Sequence, residues 1–189
     1  MSERERRKRL LWGLLCVTIL FLTGDARAEN EMQKITARLQ VTSDAFKDGE
    51  WIPAPHTCDG KNISPALRWK GAPPGTQSFV ILADDPDAPA GDWVHWVLYD
   101  LPPTVDMVPA DLPPVGKLAN AEKQGTNDFG KLGYGGPCPP AGVHRYFFKV
   151  YALDRMLGSE AGLKKKDLLG AMEGHVLAMG TLVGKYKRK

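Results

Sequence analysis

Apolar residues recur along the chain with the period of β-strands. Residues 35–41 alternate between apolar and polar types, which is typical of a half-buried strand. Three continuous apolar runs, 77–83, 93–101 and 145–153, are rich in aromatic and β-branched residues, which indicates strands covered on both faces or in a sandwich core. A further strand is expected over 181–186. Turn signals rich in glycine and proline separate these segments, so the pattern predicts an all-β sandwich.

One helix is predicted near the C-terminal end, over residues 164–179. Its apolar positions recur at helical spacing and are Leu168, Leu169, Met172, Val176 and Met179. Gly170 and Gly174 lie inside this pattern and weaken it. All 15 prolines lie between Pro53 and Pro140, so the middle of the chain is expected to consist of short elements joined by rigid loops.

The N-terminal segment has the organisation of a secretory signal peptide. Basic residues concentrated at positions 4–9 precede an apolar run over 10–22, and Ala26-Arg27-Ala28 supplies small residues where a signal peptidase cleaves. The apolar run is shorter than the roughly 20 residues of a bilayer-spanning helix, so cleavage is favoured over an uncleaved anchor. We expect removal of residues 1–28, leaving residues 29–189 as one periplasmic or secreted domain without a stable membrane span.

The distribution of charge argues against one class of partner. The whole chain has a formal net charge of +3, but residues 29–189 contain equal numbers of Lys/Arg and Asp/Glu. The positive surplus therefore lies in the segment that we expect to be removed. No nucleic-acid partner is expected, because nucleic-acid-binding domains carry a basic patch or stripe.

Two cysteines, Cys58 and Cys138, remain after the expected cleavage. An even number of cysteines in an exported chain favours a disulfide, and both lie in segments rich in glycine and proline. Two unrelated thiols and a zinc-binding pair are the alternatives, although neither cysteine has a C-x-x-C partner.

The connection between two apolar runs, residues 84–96, contains four acids, two prolines and one histidine. If the flanking strands are neighbours, Asp85 and Asp87 lie where the loop begins, and the two prolines stiffen that loop. A stiff loop loses less conformational entropy when a ligand binds. This connection is therefore a candidate binding segment.

Regular alternation along the second of these strands places Trp93 and His95 on one face, and Val94 and Trp96 on the other. His95 can then point towards the loop carboxylates. A carboxylate beside an imidazole fixes its tautomer and raises its pKa.

A second candidate segment is Gly135-Gly-Pro-Cys-Pro-Pro-Ala-Gly-Val-His-Arg-Tyr146. His144 and Tyr146 share a strand face, whereas Arg145 points to the other face and is expected to form a structural ion pair. Glycine backbone exposes N–H groups that can bind an anion. Together with Asp85 and His95, this segment predicts a compact anion pocket.

Several ordered motifs resemble those of the phosphatidylethanolamine-binding protein family, in particular its bacterial Raf kinase inhibitor-like branch. The two principal blocks are Asp-Pro-Asp-Ala-Pro with Trp-Val-His-Trp, and Gly-Val-His-Arg-Tyr-Phe-Phe. Further matching blocks are residues 57–65, 127–130, 133–140 and 171–178. The resemblance covers residues 35–186, nearly all of the expected mature chain.

The resemblance implies a mainly β fold, an antiparallel two-sheet β-sandwich with one or two peripheral helices. It also implies an exported binding protein with a small pocket for phosphate or phosphoryl head groups, and no cofactor, metal or catalytic residue. Inhibition or modulation of another protein, such as a protease or a kinase-like target, is a further expectation. The expected ligand-binding residues are Asp85, Pro89, His95, Gly136, Pro139, Pro140, His144 and Tyr146.

The competing interpretation is a metal-dependent hydrolase or phosphoester-processing enzyme. It would use Asp85, Asp87, His95 and His144 as its ligand and acid–base set. The sequence contains neither an H-E-x-x-H zinc motif nor a G-x-S-x-G nucleophile elbow. Binding without turnover is therefore the favoured prediction.

Overall fold

The computed structural model describes residues 37–188, so the expected signal peptide, residues 1–28, lies outside the described residues. The strands are β1 (Ala37–Arg38), β2 (Gln40–Thr42), β3 (Leu67–Lys70), β4 (Ser78–Asp85), β5 (Trp93–Leu101), β6 (Met107–Val108), β7 (Lys123–Gln124), β8 (His144–Leu153) and β9 (Val176–Tyr186). One α-helix, α1 (Lys165–Met172), and a short 3-10 helix (Ala54–His56) accompany them. Over this range, no helix combines the length and the apolar character that crossing a bilayer requires.

The strands form two sheets. Six strands are paired in the order β1-β9-β8-β4-β5-β7, and three in the order β2-β3-β6. All pairs are antiparallel except β1 with β9, which is parallel. The predicted mainly β fold with two sheets and a peripheral helix is confirmed.

The six-stranded sheet is covered on both faces, which explains why its central strands read as continuous apolar runs. Phe79, Ile81 and Ala83 of β4 pack into the large core between the two sheets. Val80 and Leu82 of the same strand pack into a second cluster that includes Leu168 and Met172 of α1. Every residue of β4 is consequently buried.

The predicted helix over 164–179 was too long. It ends at Met172, and the segment that begins at Val176 forms β9. Gly174 has φ of +76°, a left-handed conformation that ends a helix and that glycine adopts without strain. The apolar residues Val176 and Met179 continued the helical spacing by coincidence, because they belong to an alternating strand.

A β-bulge at His95 overturns the predicted alternation along β5. Trp96 pairs with Ala83, but Val94 pairs with Asp84, so His95 is an extra residue that has no partner on β4. As a result Val94 joins the cluster beneath α1, whereas Trp96 lies in the core between the sheets. A regular alternation of apolar and polar residues in the sequence does not reveal that an extra residue puts Val94 and Trp96 on opposite faces.

Candidate ligand-binding site

A cavity of about 240 Å³ lies at one end of the large sheet, beside three adjacent strands. β4 ends there, and β5 and β8 begin there, because the three strands are antiparallel neighbours. The lining residues are Asp85, Ala88, Pro89, Ala90, Trp93, His95, Phe129, Cys138, Pro139, Pro140, His144 and Tyr146. Seven of the eight expected ligand-binding residues are in this set, and Gly136 is not.

Asp85 holds the imidazole of His144. His144 Nδ1 lies 2.8 Å from Asp85 Oδ2, and both residues are buried. Asp85 Oδ1 accepts a hydrogen bond of 2.9 Å from the Asp87 backbone N–H, which fixes the carboxylate. Because a carboxylate accepts, the shared proton is on Nδ1 of His144 and its Nε2 is left for another partner.

His95 is oriented by backbone and not by a carboxylate, which corrects the predicted arrangement. Its Nδ1 donates to the Gly135 carbonyl oxygen at 2.6 Å. Burial lowers the pKa of His95, and the hydrogen bond to Gly135 and the Asp85 charge offset this only in part. His95 is therefore expected to be a neutral imidazole near pH 7, with Nε2 as an acceptor.

Two lining residues carry buried donors. Trp93 Nε1 has no hydrogen-bond partner among the described residues. The Tyr146 hydroxyl lies beside Asp85, and burial, followed by the Asp85 charge and a side-chain hydrogen bond to Asp85, raises the pKa of Tyr146, so this hydroxyl keeps its proton. An unsatisfied buried donor beside a cavity, such as Trp93 Nε1, is what a ligand or water would satisfy.

Phe129 lines the cavity although the sequence reasoning assigned it no role. Its ring contacts His95 at 5.3 Å and Trp93 at 5.5 Å between centroids, both edge-on. Asn127 shapes the loop beneath it, since Asn127 Oδ1 accepts from the backbone N–H groups of Phe129 and Lys131. The available signal was the Asn-Asp-Phe-Gly block, which marks a turn carrying one aromatic residue.

Gly135 and Gly136 do not offer their backbone N–H groups to the cavity. The Gly136 N–H donates to Asn62 Oδ1 at 2.7 Å, and the Gly135 N–H donates to the His95 carbonyl at 2.8 Å. A Cβ on Gly136 would meet Asn62 Oδ1 and the His56 carbonyl at 2.6 Å, so close packing accounts for glycine here. Pro139 and Pro140 line the cavity as apolar wall and have no N–H to offer.

Asp87 lies outside the cavity lining and is paired with Arg145. The guanidinium makes two hydrogen bonds to this carboxylate, of 2.8 and 2.7 Å, and the Arg145 backbone N–H adds a third of 3.0 Å. This side-chain hydrogen bonding lowers the pKa of Asp87 to about 2. The ion pair expected for Arg145 is present, and the four-residue ligand set of the hydrolase alternative is not assembled.

The first acid of the loop sequence, Asp84, belongs to the opposite face of the sheet. Its buried carboxylate contacts Lys149 Nζ at 2.7 Å and Lys165 Nζ of α1 at 2.7 Å. Lys165 also pairs with Asp92 at the end of the loop that covers the cavity. Helix α1 is thereby tied both to β4 and to this loop.

The expected disulfide joins Cys58 to Cys138, with 5.4 Å between the Cα atoms. It connects the loop before β3 to the cavity wall, because Cys138 is a lining residue. The Cys58 N–H donates to the Pro137 carbonyl at 3.1 Å, and the Tyr134 hydroxyl donates to the His56 carbonyl at 2.7 Å. The wall around Cys138 is therefore held covalently and by hydrogen bonds.

Comparison with known proteins shows extensive similarity. The family model for phosphatidylethanolamine-binding protein matches residues 42–187. A UPF0098 protein of Methanothermobacter thermautotrophicus is 49% identical over 150 residues, covering 79% of this chain and 99% of the relative. The UPF0098 protein PYRAB11530 of Pyrococcus abyssi is 46% identical over 185 residues, covering 96% and 99%.

A solved structure agrees with this similarity. YbcL of E. coli, described as a new member of the mammalian PEBP family, superimposes with a TM-score of 0.75 at 36% identity. The match covers 81% of this chain and all of YbcL. On its sequence, its two-sheet architecture and these matches, the chain belongs to the phosphatidylethanolamine-binding protein family.

Proposed function

We propose that this chain is an exported binding protein whose cavity takes phosphate or the phosphoryl head group of a larger ligand, without turnover. The observation that carries the proposal is the pair of buried imidazoles, His95 and His144, each held through Nδ1 at the wall of one cavity. Rigidly oriented polar groups in a largely apolar cavity are typical of small-molecule sites.

The size and composition of the cavity favour a small polar group. A volume of about 240 Å³ is at the lower end for ligand pockets and suits a phosphoryl group with a short substituent. Alanine, proline and phenylalanine side chains form much of the wall. Polar groups concentrate on Asp85, His95, His144 and Tyr146, so the ligand would meet its hydrogen-bonding partners on one side of the cavity.

Family membership supports the same ligand class. The matching family model is described as phosphatidylethanolamine-binding protein, and the head group of that lipid contains a phosphoryl group. Export rests on the signal-peptide pattern of residues 1–28. The Cys58–Cys138 disulfide supports it, because disulfides persist mainly in oxidising compartments.

The geometry gives less support to the two other expected functions, metal-dependent hydrolysis and the inhibition or modulation of another protein. No group of three or more metal-ligating side chains comes together within residues 37–188, and Asp87 is held by Arg145. No described contact singles out a protein partner for inhibition or modulation. The proposal is therefore restricted to ligand binding.

The test is titration of phosphate and phosphoethanolamine into the wild type and His144→Ala, by calorimetry or NMR. Loss of one hydrogen bond to a charged ligand should weaken binding about 10- to 100-fold. His175→Ala is the matched control, because His175 Nδ1 also lies 2.8 Å from a carboxylate, that of Asp154, but belongs to a surface pair. Equal affinity in the wild type and His144→Ala would place the ligand elsewhere.

A further inference from the structure

Helix α1 places one lysine at the end of β4, beside the cavity loop, which is residues 86–92. Leu168 and Met172 of this helix are buried in the cluster that also contains Val80 of β4. Lys165 is three residues before Leu168, so its side chain leaves the helix on the same, sheet-facing side. That side chain is only 19% exposed. The packing of α1 against the sheet therefore fixes where the Lys165 ammonium lies.

Helix electrostatics alone disfavour a lysine at this position. Lys165 is the first residue of α1, where the helix dipole opposes a positive charge. Two carboxylates compensate, because Lys165 Nζ contacts Asp84 at 2.7 Å and also contacts Asp92. Burial lowers the pKa of Lys165, but its hydrogen bonds to these two carboxylates outweigh burial. The net direction of the pKa is upward, so the ammonium keeps its charge.

Asp84 already has a counterion without Lys165. Lys149 Nζ donates to both oxygens of the buried Asp84 carboxylate, at 2.8 and 2.7 Å. A second lysine on this carboxylate would leave an excess of positive charge. Asp92 balances it, so the four groups together carry two positive and two negative charges. The contact between Lys165 and Asp92 is therefore what distinguishes Lys165 from a simple counterion.

The cavity loop carries its lining residues between two anchors. The loop residues in the cavity wall are Ala88, Pro89 and Ala90. Before them, Asp87 is held by the guanidinium of Arg145 on β8. After them, Asp92 is held by Lys165 on α1. The position of this wall thus depends on one contact with β8 and one contact with α1.

We propose, building on the function given above, that Lys165 is a positioning residue for ligand binding, which holds Asp92 and so keeps the loop wall in the conformation that accepts the phosphoryl group. Lys165 is not among the residues that line the cavity, so its effect on affinity is transmitted through the loop. A wall that is already ordered loses less conformational entropy when the ligand binds. If only the ordered form binds, the apparent affinity falls with the fraction of molecules that have it.

The test compares variants of the full mature chain with the wild type, in titrations with phosphate and with phosphoethanolamine at pH 7. Lys165→Met removes the ammonium and keeps an apolar side chain of similar length. Asp92→Ala removes the partly exposed acceptor and leaves Asp84 paired with both lysines. Each should weaken binding about 3- to 5-fold, which is the change in an equilibrium that a partly exposed ion pair can produce.

Two features of this comparison separate positioning from long-range attraction of the anion. Lys165→Met and Asp92→Ala change the net charge in opposite directions, so electrostatic attraction alone would change the affinity in opposite directions. Positioning predicts a loss in both. The double variant should bind no more weakly than either single variant, because both substitutions break the same contact.

Lys149→Met is the matched control. Lys149 Nζ contacts the same Asp84 carboxylate at the same 2.7 Å, but this lysine belongs to β8 and its described ion pair does not include Asp92. Its loss should reduce the free energy of unfolding more than Asp92→Ala does, because it removes two hydrogen bonds from a buried carboxylate. The affinity should nevertheless stay near that of the wild type. A purely structural role of Lys165 would instead make affinity follow stability.

Backbone ¹⁵N relaxation of the ligand-free protein gives a second readout. The order parameters of Ala88 and Ala90 should fall in Lys165→Met and Asp92→Ala, and should not fall in Lys149→Met. Unchanged affinity in both Lys165→Met and Asp92→Ala, or an equal loss in Lys149→Met, would overturn the positioning role and leave the proposed function intact. No binding of either ligand to the wild type would overturn the proposed function and, with it, the role of Lys165 in binding.

Discussion

His144 Nδ1 lies 2.8 Å from Asp85 Oδ2, and the two side chains are only 8% and 4% exposed. The same atoms of His175 and Asp154 are also 2.8 Å apart, but those side chains are 35% and 45% exposed. The chain thus contains two pairs of equal geometry, one buried at the cavity and one on the surface. Removing one partner is expected to cost much more in the buried pair, because the other partner is then left buried without its hydrogen bond, whereas solvent replaces it at the surface.

Asp85→Ala should therefore destabilise the protein by about 3 kcal/mol, since it leaves the His144 Nδ1–H and the Asp87 N–H without their acceptor. Asp154→Ala, which breaks the surface pair, should cost about 0.5–1 kcal/mol or less. Urea unfolding of both variants measures the difference. Similar costs for the two would show that burial does not raise the cost of breaking the Asp85 pair.

Stability should fall in acid partly because of His95. Its pKa in the folded state is below the ordinary value of 6.5, so the unfolded chain binds the proton first as the pH falls through 6.5. The contribution of His95 is therefore fully present above that value and is lost below it. Unfolding free energies measured from pH 7.5 to 4.5 should have a smaller slope in His95→Asn than in the wild type, and equal slopes would contradict the assignment.

Asp87 should cause a second loss of stability, at a lower pH than the loss caused by His95. Its pairing with Arg145 lowers the pKa from 3.8 to about 2, so this contribution exists above pH 3.8 and disappears as the pH falls towards 2. The pair is partly exposed, so its effect should decrease at high salt. Acid unfolding curves of Asp87→Asn at low and high salt check this, and a wild-type curve insensitive to salt would argue against it.

Phe129 should control how well His95 is shielded from water. Phe129→Ala removes a ring that packs against both His95 and Trp93, so the pKa of His95 should rise towards its ordinary value. The lost ring contacts should cost about 1–2 kcal/mol of stability. Leu169→Ala is the control, because Leu169 has the same 41% exposure but lies on α1, across the sheet. An NMR titration of the His95 ring in each variant gives the result, and equal pKa values would contradict the shielding role.

Reduction of the Cys58–Cys138 disulfide should weaken both stability and phosphate binding. The bond closes a segment with a sequence separation of 80, for which the chain-entropy model gives about 4–5 kcal/mol. Binding should weaken because Cys138 is part of the cavity wall. Unfolding and titration with and without reductant test this; a double variant with serine at both positions should not respond to reductant.

Much of the fold was predictable because strands that are buried on both faces have continuous apolar runs in the sequence. The apolar run 93–101 coincides with β5, and the apolar run 145–153 falls within β8. The end of α1 was not predictable from spacing, since Val176 and Met179 fit a helix as well as a strand. Only the left-handed Gly174, a local backbone feature, decides between the two.

The sequence identified most of the residues that line the cavity, but not the hydrogen bonds between them. Motif matching placed seven of eight residues at the cavity, because ordered blocks specify which loops converge. Whether His95 or His144 contacts Asp85 depends on the bulge in β5. The pattern of apolar residues does not reveal that bulge. Gly136 was predicted to offer its N–H to a ligand, but it packs closely against Asn62 and His56. The sequence does not distinguish a glycine that exposes its N–H from one that is needed only for close packing.

The bulge at His95 makes this point of β5 more tolerant of a change in length than the rest of the strand. The extra residue has no partner on β4, so the histidine can be replaced without altering the pairing of Trp96 with Ala83. Deleting His95 would restore regular pairing, with Val94 still opposite Asp84 and Trp96 still opposite Ala83, and would remove only the imidazole at the cavity. A deletion elsewhere in β5 should be far more damaging to the sheet, because one residue fewer moves the neighbouring side chains to the other face.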